Sequence, residues 1–330
     1  MIRNAQIVAS GMYVPERVLP NSFFNELLGE DVDTWLRENL TIRERRWCSE
    51  NQSTADLCVE AAKKILEDAK LTADKLDLII IATDTPEYIS PSTASVVQYR
   101  LGAVNAGTFD INTACAGFVT ALDVASKFII SDKKYNNVLV IGAYAMSKYL
   151  NMQDKKTVTL FADGAAGVLL QPIDKVDKGF LTSKLFTDGQ YCDWMGIYAG
   201  GTHMPVTHEV IERKDHLLKF VKKFPKETNP TTWTRMIKEA CEELNIKPTD
   251  IDHYFFTQIN INSIWETLDN LGVDRNKGYA IMDRFGYTGS ACIPMTFDET
   301  RRKGLIKEND LCLFIGSGGG LAFALAIFKM

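Results

Sequence analysis

Asp110-Ile111-Asn112-Thr113-Ala114-Cys115-Ala116-Gly117-Phe118 joins two patterns of different period. Upstream, Gly107-Thr108-Phe109-Asp110-Ile111 reads as an extended apolar run. Downstream, Phe118, Ala121, Leu122, Ala125, Phe128 and Ile129 recur at helical spacing. One cysteine therefore stands where a strand turns into a helix, between small residues that add no bulk. The unpaired N–H groups of a helix start carry partial positive charge, which biases a thiol there toward thiolate. Small neighbours give a substrate access to the sulfur, which suits it to making and breaking a thioester. A cysteine between small residues is also a common core filler, so the chemistry needs support from elsewhere in the chain.

Working outward, the 330 residues suffice for two domains or one large α/β unit, and 46% of them are apolar. The net charge of −5 argues against nucleic acid as the main partner. Apolar runs such as Leu78-Ile79-Ile80-Ile81-Ala82 are too short to span a bilayer, so no membrane span is expected. Met1 to Val8 lacks the apolar core and cleavage site of a signal peptide. The seven cysteines are scattered, with no C-x-x-C and no His/Cys cluster. That suggests neither a zinc site nor a disulfide framework, and the expected setting is a reducing cytoplasm.

Ala5 to Gly11 reads as a short strand and Phe23 to Arg37 as a helix. Ser53-Thr54-Ala55-Asp56 starts another helix, carried by Leu57, Ala61, Ala62, Ile65, Leu66 and Ala69. Leu78 to Thr83 and Asn137 to Gly142 are continuous apolar runs, typical of strands covered on both faces in a parallel sheet. Later stretches repeat this order. Helix Thr232 to Leu244, Ile246 to Asp252 and strand His253 to Thr257 mirror helix Asp56 to Ala69, Leu71 to Asp77 and strand Leu78 to Ala82. Asn309 to Gly316 mirrors Asn136 to Gly142, and Phe285 to Ala291, with Tyr287, falls roughly where the Cys115 turn falls earlier. An imperfect duplication predicts an α/β fold of two similar halves, residues 1–175 and 176–330, with an irregular cap insertion around 188–229. A site belongs where the strand ends of the two halves face each other.

With these landmarks the chain resembles the thiolase-fold condensing enzymes, most closely the β-ketoacyl-acyl-carrier-protein synthase III family. The resemblance covers nearly the whole length. It is carried by Gly11 to Pro15, Thr41 to Arg45, Asp110 to Phe118, Phe161 to Ala166, Asp283 to Gly286 and Gly316 to Gly320. It implies the five-layer αβαβα fold, a homodimer, and acyl transfer from acyl-CoA or acyl carrier protein through Cys115. No separate cofactor or metal is implied, because the CoA or phosphopantetheine thioester is itself the substrate. The backbone N–H groups of Cys115 and Gly319 are implied as an oxyanion hole. Trp35 matches the tryptophan on which the family stacks the CoA adenine. Lys155 replaces a phosphate-side arginine, and Asn260 stands at the family's channel asparagine.

The departures bear on the reaction. Where the family carries a catalytic histidine in His-Gln-Ala-Asn, this chain reads Thr257-Gln258-Ile259-Asn260, and the family's asparagine is Tyr287. In the family that pair supports malonyl decarboxylation. Thr257 and Tyr287 each offer one neutral hydroxyl, a weaker set than a charged or amide pair. The helix that docks acyl carrier protein aligns with Ile261 to Asn270, whose basic positions are here neutral or acidic. Glu87 lies in a loop that in the family reaches the partner's acyl pocket, where a carboxylate is either a base or an ordinary solvated acid. Ser90 matches a bulky chain-limiting position, and a small residue leaves room for a longer or branched chain. His203 lies in the cap loop near the family's channel, whereas His253 falls at the far end of its strand. The run Lys219 to Lys226 is a solvated face or a phosphate-binding rim.

Three functions follow as expectations. The first is an acyltransferase that forms acyl-Cys115 and condenses it with a malonyl-type acceptor, in fatty acid or secondary metabolism. The second is acyl transfer or thioester hydrolysis without decarboxylation. The third is a catalytically reduced subunit that supports a homologous partner in a heterodimer.

Overall fold

The run Leu78–Ala82 is buried at every position, as a strand covered on both faces must be. In the computed structural model, which describes residues 3–330, it forms β4 near the middle of a five-stranded sheet. The order there is β1 (Asn4–Tyr13), β7 (Asp163–Ile173), β6 (Val138–Ala145), β4 and β5 (Gly107–Ile111). β4 runs parallel to β5 and β6, and β7 runs antiparallel to β6 and β1. A four-stranded sheet repeats the scheme with β11 (His253–Phe256), β12 (Leu311–Gly318), β13 (Ala322–Lys329) and β8 (Gly179–Thr187). Here β11 is parallel to β12, and the other pairs are antiparallel. The counterpart of β5 shrinks to one parallel bridge, Tyr254 to Gly278.

Two apolar helices fill the space between the sheets. α5 (Gly117–Ser131) and α11 (Cys292–Arg302) each touch strands of both. Outside, α3 (Thr54–Ala69) and α4 (Thr93–Leu101) cover the first sheet, while α8 (Thr228–Glu243), with α9 (Ile261–Leu271) against it, covers the second. These are the five layers of a thiolase fold. Ala114–Ser131 is apolar enough to cross a membrane by length and composition. Its place between two apolar sheet faces accounts for that character.

The smaller elements lie around this sandwich. β2 (Val18–Pro20) pairs with β3 (Glu44–Arg46) beside α1 (Asn21–Leu28) and α2 (Asp33–Leu40). The single helix expected over Phe23 to Arg37 is thus two. Gly29 closes α1 in the left-handed conformation (φ 68°). Asn25 then accepts the Val32 N–H (2.8 Å) and Asp31 the Asp33 N–H (2.9 Å), which starts α2 afresh. α6 (Lys155–Val158) and α10 (Met282–Phe285) are single turns. The irregular segment 188–229 contains β9 (Met195–Gly196) paired with β10 (Lys219–Phe220), and α7 (His208–Glu212). Its folding follows from aromatics: Trp194 packs edge-on to Tyr191 (4.7 Å) and stacks on Phe224 (5.5 Å).

Candidate active site

Beyond Ile111 the chain leaves β5 and turns through Asn112–Ala116 before α5 begins. Ala114 takes a left-handed conformation (φ 46°), strained for a residue with a Cβ, and Asn112 Oδ1 holds its N–H at 3.0 Å. Cys115 stands at the head of α5, only 2% exposed. The glycine run of β12 is what allows this packing. A Cβ on Gly318 would lie 2.5 Å from the Thr113 carbonyl oxygen and 2.6 Å from the Cys115 nitrogen. One on Gly316 would lie 2.9 Å from Ala116 Cα. The second sheet's backbone is therefore pressed directly against the turn, and Ser290 secures it from the side by donating to the Ala114 carbonyl at 2.9 Å.

Tyr287 completes the nucleophile's surroundings. Its backbone bridges to Phe161: its N–H donates to Leu160 O (2.9 Å), and its carbonyl accepts from Ala162 N–H (2.8 Å). The ring packs against Phe161 (5.4 Å) and Tyr144 (6.3 Å), and the phenol hydrogen-bonds to the Cys115 thiol. Tyr287, which the duplication sets roughly opposite the Cys115 turn, lies beside Cys115 in the structure. The electrostatics differ from the thiolate bias expected of a helix start. Burial first, and then the negative charge of Asp84, push the Cys115 thiol well above its ordinary range, while the Tyr287 hydrogen bond opposes them. Removing a thiolate from water costs more here than a helix start returns.

A cavity of about 1060 Å³ runs from the surface down to Cys115. Tyr287, Ser317 and Gly319 line its inner end; Trp35, Lys222 and Lys223 line its mouth. Trp35 is 55% exposed there, and Lys222 lies over the Trp194 ring at 5.4 Å. Lys155 also lines the cavity, paired with Glu30 at 2.8 Å. Asn260 lines it too, and its side chain caps α9 through the Asn262 N–H (3.0 Å). Cys115, Tyr287, Gly319, Trp35, Lys155 and Asn260 therefore share one space.

Four other candidates lie off that wall. Thr257 is buried, and its Oγ1 accepts the Ser317 N–H at 3.0 Å, so its hydroxyl serves the end of β12. Glu87 accepts from Ser53 Oγ (3.0 Å) and the Ala55 N–H (2.9 Å), and pairs with Arg100 (3.3 Å), fastening the start of α3. Ser90 and His203 are exposed. His253 sits between Asp310 (2.8 Å) and the Tyr279 hydroxyl (3.0 Å) at the start of β11. Among the described residues, no His/Cys/Asp/Glu group has the arrangement of a metal site, and all seven cysteines are free. Sequence reasoning passed over Asp84. Its signal was its place just beyond an apolar parallel strand, where sites gather.

A thiol at a strand-to-helix turn, between two sheets of repeated topology and at the foot of a long cavity, defines an acyl-transferring enzyme of the thiolase fold. Residues 109–189 match the family model of 3-oxoacyl-[acyl-carrier-protein] synthase III, and residues 241–330 match its C-terminal model. The β-ketoacyl-[acyl-carrier-protein] synthase III of Clostridioides difficile strain 630 is 37% identical over 333 residues, spanning 100% of this chain and 99% of the relative. That of Caldanaerobacter subterraneus subsp. tengcongensis is 37% identical over 98% of this chain and 97% of its own. The crystal structure of 3-oxoacyl-[acyl-carrier-protein] synthase III from Aquifex aeolicus VF5 matches with a TM-score of 0.88 at 29% identity, over 99% of this chain and 100% of that one. The chain belongs to the β-ketoacyl-acyl-carrier-protein synthase III family.

Proposed function

We propose that the protein takes an acyl group from acyl-CoA or acyl carrier protein onto Cys115 and condenses it with a malonyl-type acceptor, as a 3-oxoacyl-acyl-carrier-protein synthase. The observation that carries this reading is the cavity joining Trp35 and the lysine rim to Cys115 and Gly319. A pantetheine arm is long and thin, and its thioester must reach a sulfur held away from water. The aromatic and cationic groups at the mouth suit an adenine ring and phosphates. In this reading the N–H groups of Cys115 and Gly319 take the developing oxyanion. Tyr88, Ile89, Tyr99 and Val104 are 52%, 84%, 84% and 73% exposed, which supports a second copy packed over them as a homodimer.

A second reading, acyl transfer without decarboxylation, is favoured by the commitment of Thr257 to Ser317 and of Tyr287 to the thiol. Neither hydroxyl is left free for an enolate. Intact-protein mass spectrometry with a panel of acyl-CoAs tests what the two readings share. The expected result is a single acyl adduct that disappears in Cys115→Ala. Carbon dioxide release from a carboxyl-labelled malonyl donor then separates them. If no acyl-CoA loads Cys115, both fail.

A further inference from the structure

The mouth of the Cys115 cavity carries its charge unevenly. One edge is built by α6 and by the cap segment that follows β10, and α6 packs beside β10. Lys155 and Lys156 on α6, and Lys222, Lys223 and Lys226 after β10, line this edge and are exposed. Few carboxylates answer them. Lys155 pairs with Glu30 at 2.8 Å, and Lys222 lies 3.6 Å from Asp193. Asp154 is turned into the start of α6, where it accepts the Lys156 N–H at 3.1 Å. Among the described residues, Lys156, Lys223 and Lys226 have no ion-pair partner. The opposite edge has the reverse character. It is formed by α2 and α9, joined where Asn262 donates to the Asn39 carbonyl at 3.0 Å. The exposed row of α9 is Asn262, Glu266, Asp269 and Asn270, with no lysine or arginine. The basic edge is also firmly mounted. The Trp194 carbonyl accepts the Val221 N–H (2.8 Å) and the Lys222 N–H (3.2 Å), and Phe224 stacks on the Trp194 ring at 5.5 Å. A surface already held in place loses little freedom on binding.

We propose that the edge made by α6 and the cap, and not α9, is where an acidic carrier protein docks, so that its pantetheine arm enters the cavity between the lysines and Trp35. The inference rests on the acyl-transfer reading above and names the face that its carrier uses. A carrier that presents carboxylates around the attachment point of its arm is attracted by the unpaired lysines on one side of the mouth. On the other side Glu266 and Asp269 repel it, and the contrast fixes the direction of approach. Lys155 contributes least, because Glu30 already holds it. CoA would meet the same lysines through its phosphates, so the decisive probe is a carrier without its arm.

The experiment measures binding of a fluorophore-labelled apo-acyl carrier protein, which bears neither pantetheine nor nucleotide, by anisotropy at roughly 25 and 150 mM salt. Wild type is compared with Lys222→Glu/Lys223→Glu/Lys226→Glu on the cap edge and with Asn270→Glu on α9, all exposed positions. Near-ultraviolet circular dichroism verifies folding. The expected result is wild-type binding that weakens with salt, a loss of at least about tenfold in the cap variant, and a change under about twofold in Asn270→Glu. An Asn270→Glu variant that loses more than the cap variant overturns the proposal and returns docking to α9. A wild type that does not bind the carrier, or a cap variant that binds it as wild type does, also overturns it. Slower acyl-CoA loading in such a cap variant would then assign the lysines to nucleotide phosphates. Loading of wild-type Cys115 by acyl-CoA, followed separately by mass spectrometry, reports on the acyl-transfer reading. If nothing loads while the carrier binds at the cap edge, that reading fails and the docking face stands.

Discussion

The Tyr287 phenol hydrogen-bonds to the Cys115 thiol although the two residues lie before different central helices. It is the larger of two hydrogen-bonding influences that lower the thiol's pKa against burial and the charge of Asp84, the other coming from the Cys115 backbone. A hydrogen bond to an ionised group contributes about 1.5–3 kcal/mol, so its loss in Tyr287→Phe should slow acylation of Cys115 at least about tenfold. The ring keeps its packing on Phe161 and Tyr144, so stability should change little. The pH profile of Cys115 alkylation should move to higher pH. An unmoved profile would mean that Tyr287 contributes shape and no hydrogen bond.

Thr257 tests the other hydroxyl. Because its Oγ1 holds the Ser317 N–H, Thr257→Val leaves a buried donor without a partner. The expected cost is about 1–3 kcal/mol in urea unfolding, with acylation changed less than about threefold. A variant of normal stability that no longer loads Cys115 would reverse this assignment and put Thr257 in the chemistry.

These two residues also show what was legible beforehand. The buried run of β4, the helical face of α5 and the turn at Cys115 are local patterns, and local period survives in sequence. Tyr287 was placed by the duplication, because its register relative to Cys115 is inherited from repeated topology. Thr257 was set at the end of its strand, but its partner Ser317 belongs to β12, and only the sheet brings the two together. Glu87 read as a loop acid because nothing near it in sequence announces that the end of β4 lies beside the start of α3. Gly29 split a helix that apolar spacing alone would carry through. Asp84 was missed for the same reason: its isolation is a property of packing.

Gly318 and Gly319 are adjacent and should differ sharply. A Cβ on Gly318 meets backbone atoms of Thr113 and Cys115, which cannot swing away as a side-chain tip can. On Gly319 the nearest atom is the Met195 carbonyl oxygen at 3.4 Å, an ordinary contact. Gly318→Ala should lose about 1–3 kcal/mol, the usual cost of overpacking, and acylate poorly because the turn is displaced. Gly319→Ala keeps its N–H and should unfold within about 0.5 kcal/mol of wild type, typical of a substitution that meets no such obstacle. Equal effects on melting and loading would show that the glycine run has no direct bearing on the turn.

Burial of the Asp84 carboxyl makes the fold's stability depend on pH. Its folded carboxyl sits at about 6, against an ordinary 3.8. Below pH 4 both folded and unfolded chains hold the proton, and the residue costs little. As pH rises from about 4 to 6, the unfolded chain releases its proton first, so ionisation favours unfolding and stability falls. Above pH 6 the cost is constant, about 2–3 kcal/mol at roughly 1.36 kcal/mol per pKa unit. Asp84→Asn removes the charge, so it should be more stable than wild type at pH 8 by about 2 kcal/mol, with the gap narrowing toward pH 4. Urea midpoints at pH 4.5, 6 and 8 measure this directly. A gap that stays constant, or widens on acidification, would mean that the carboxyl is not held up by burial.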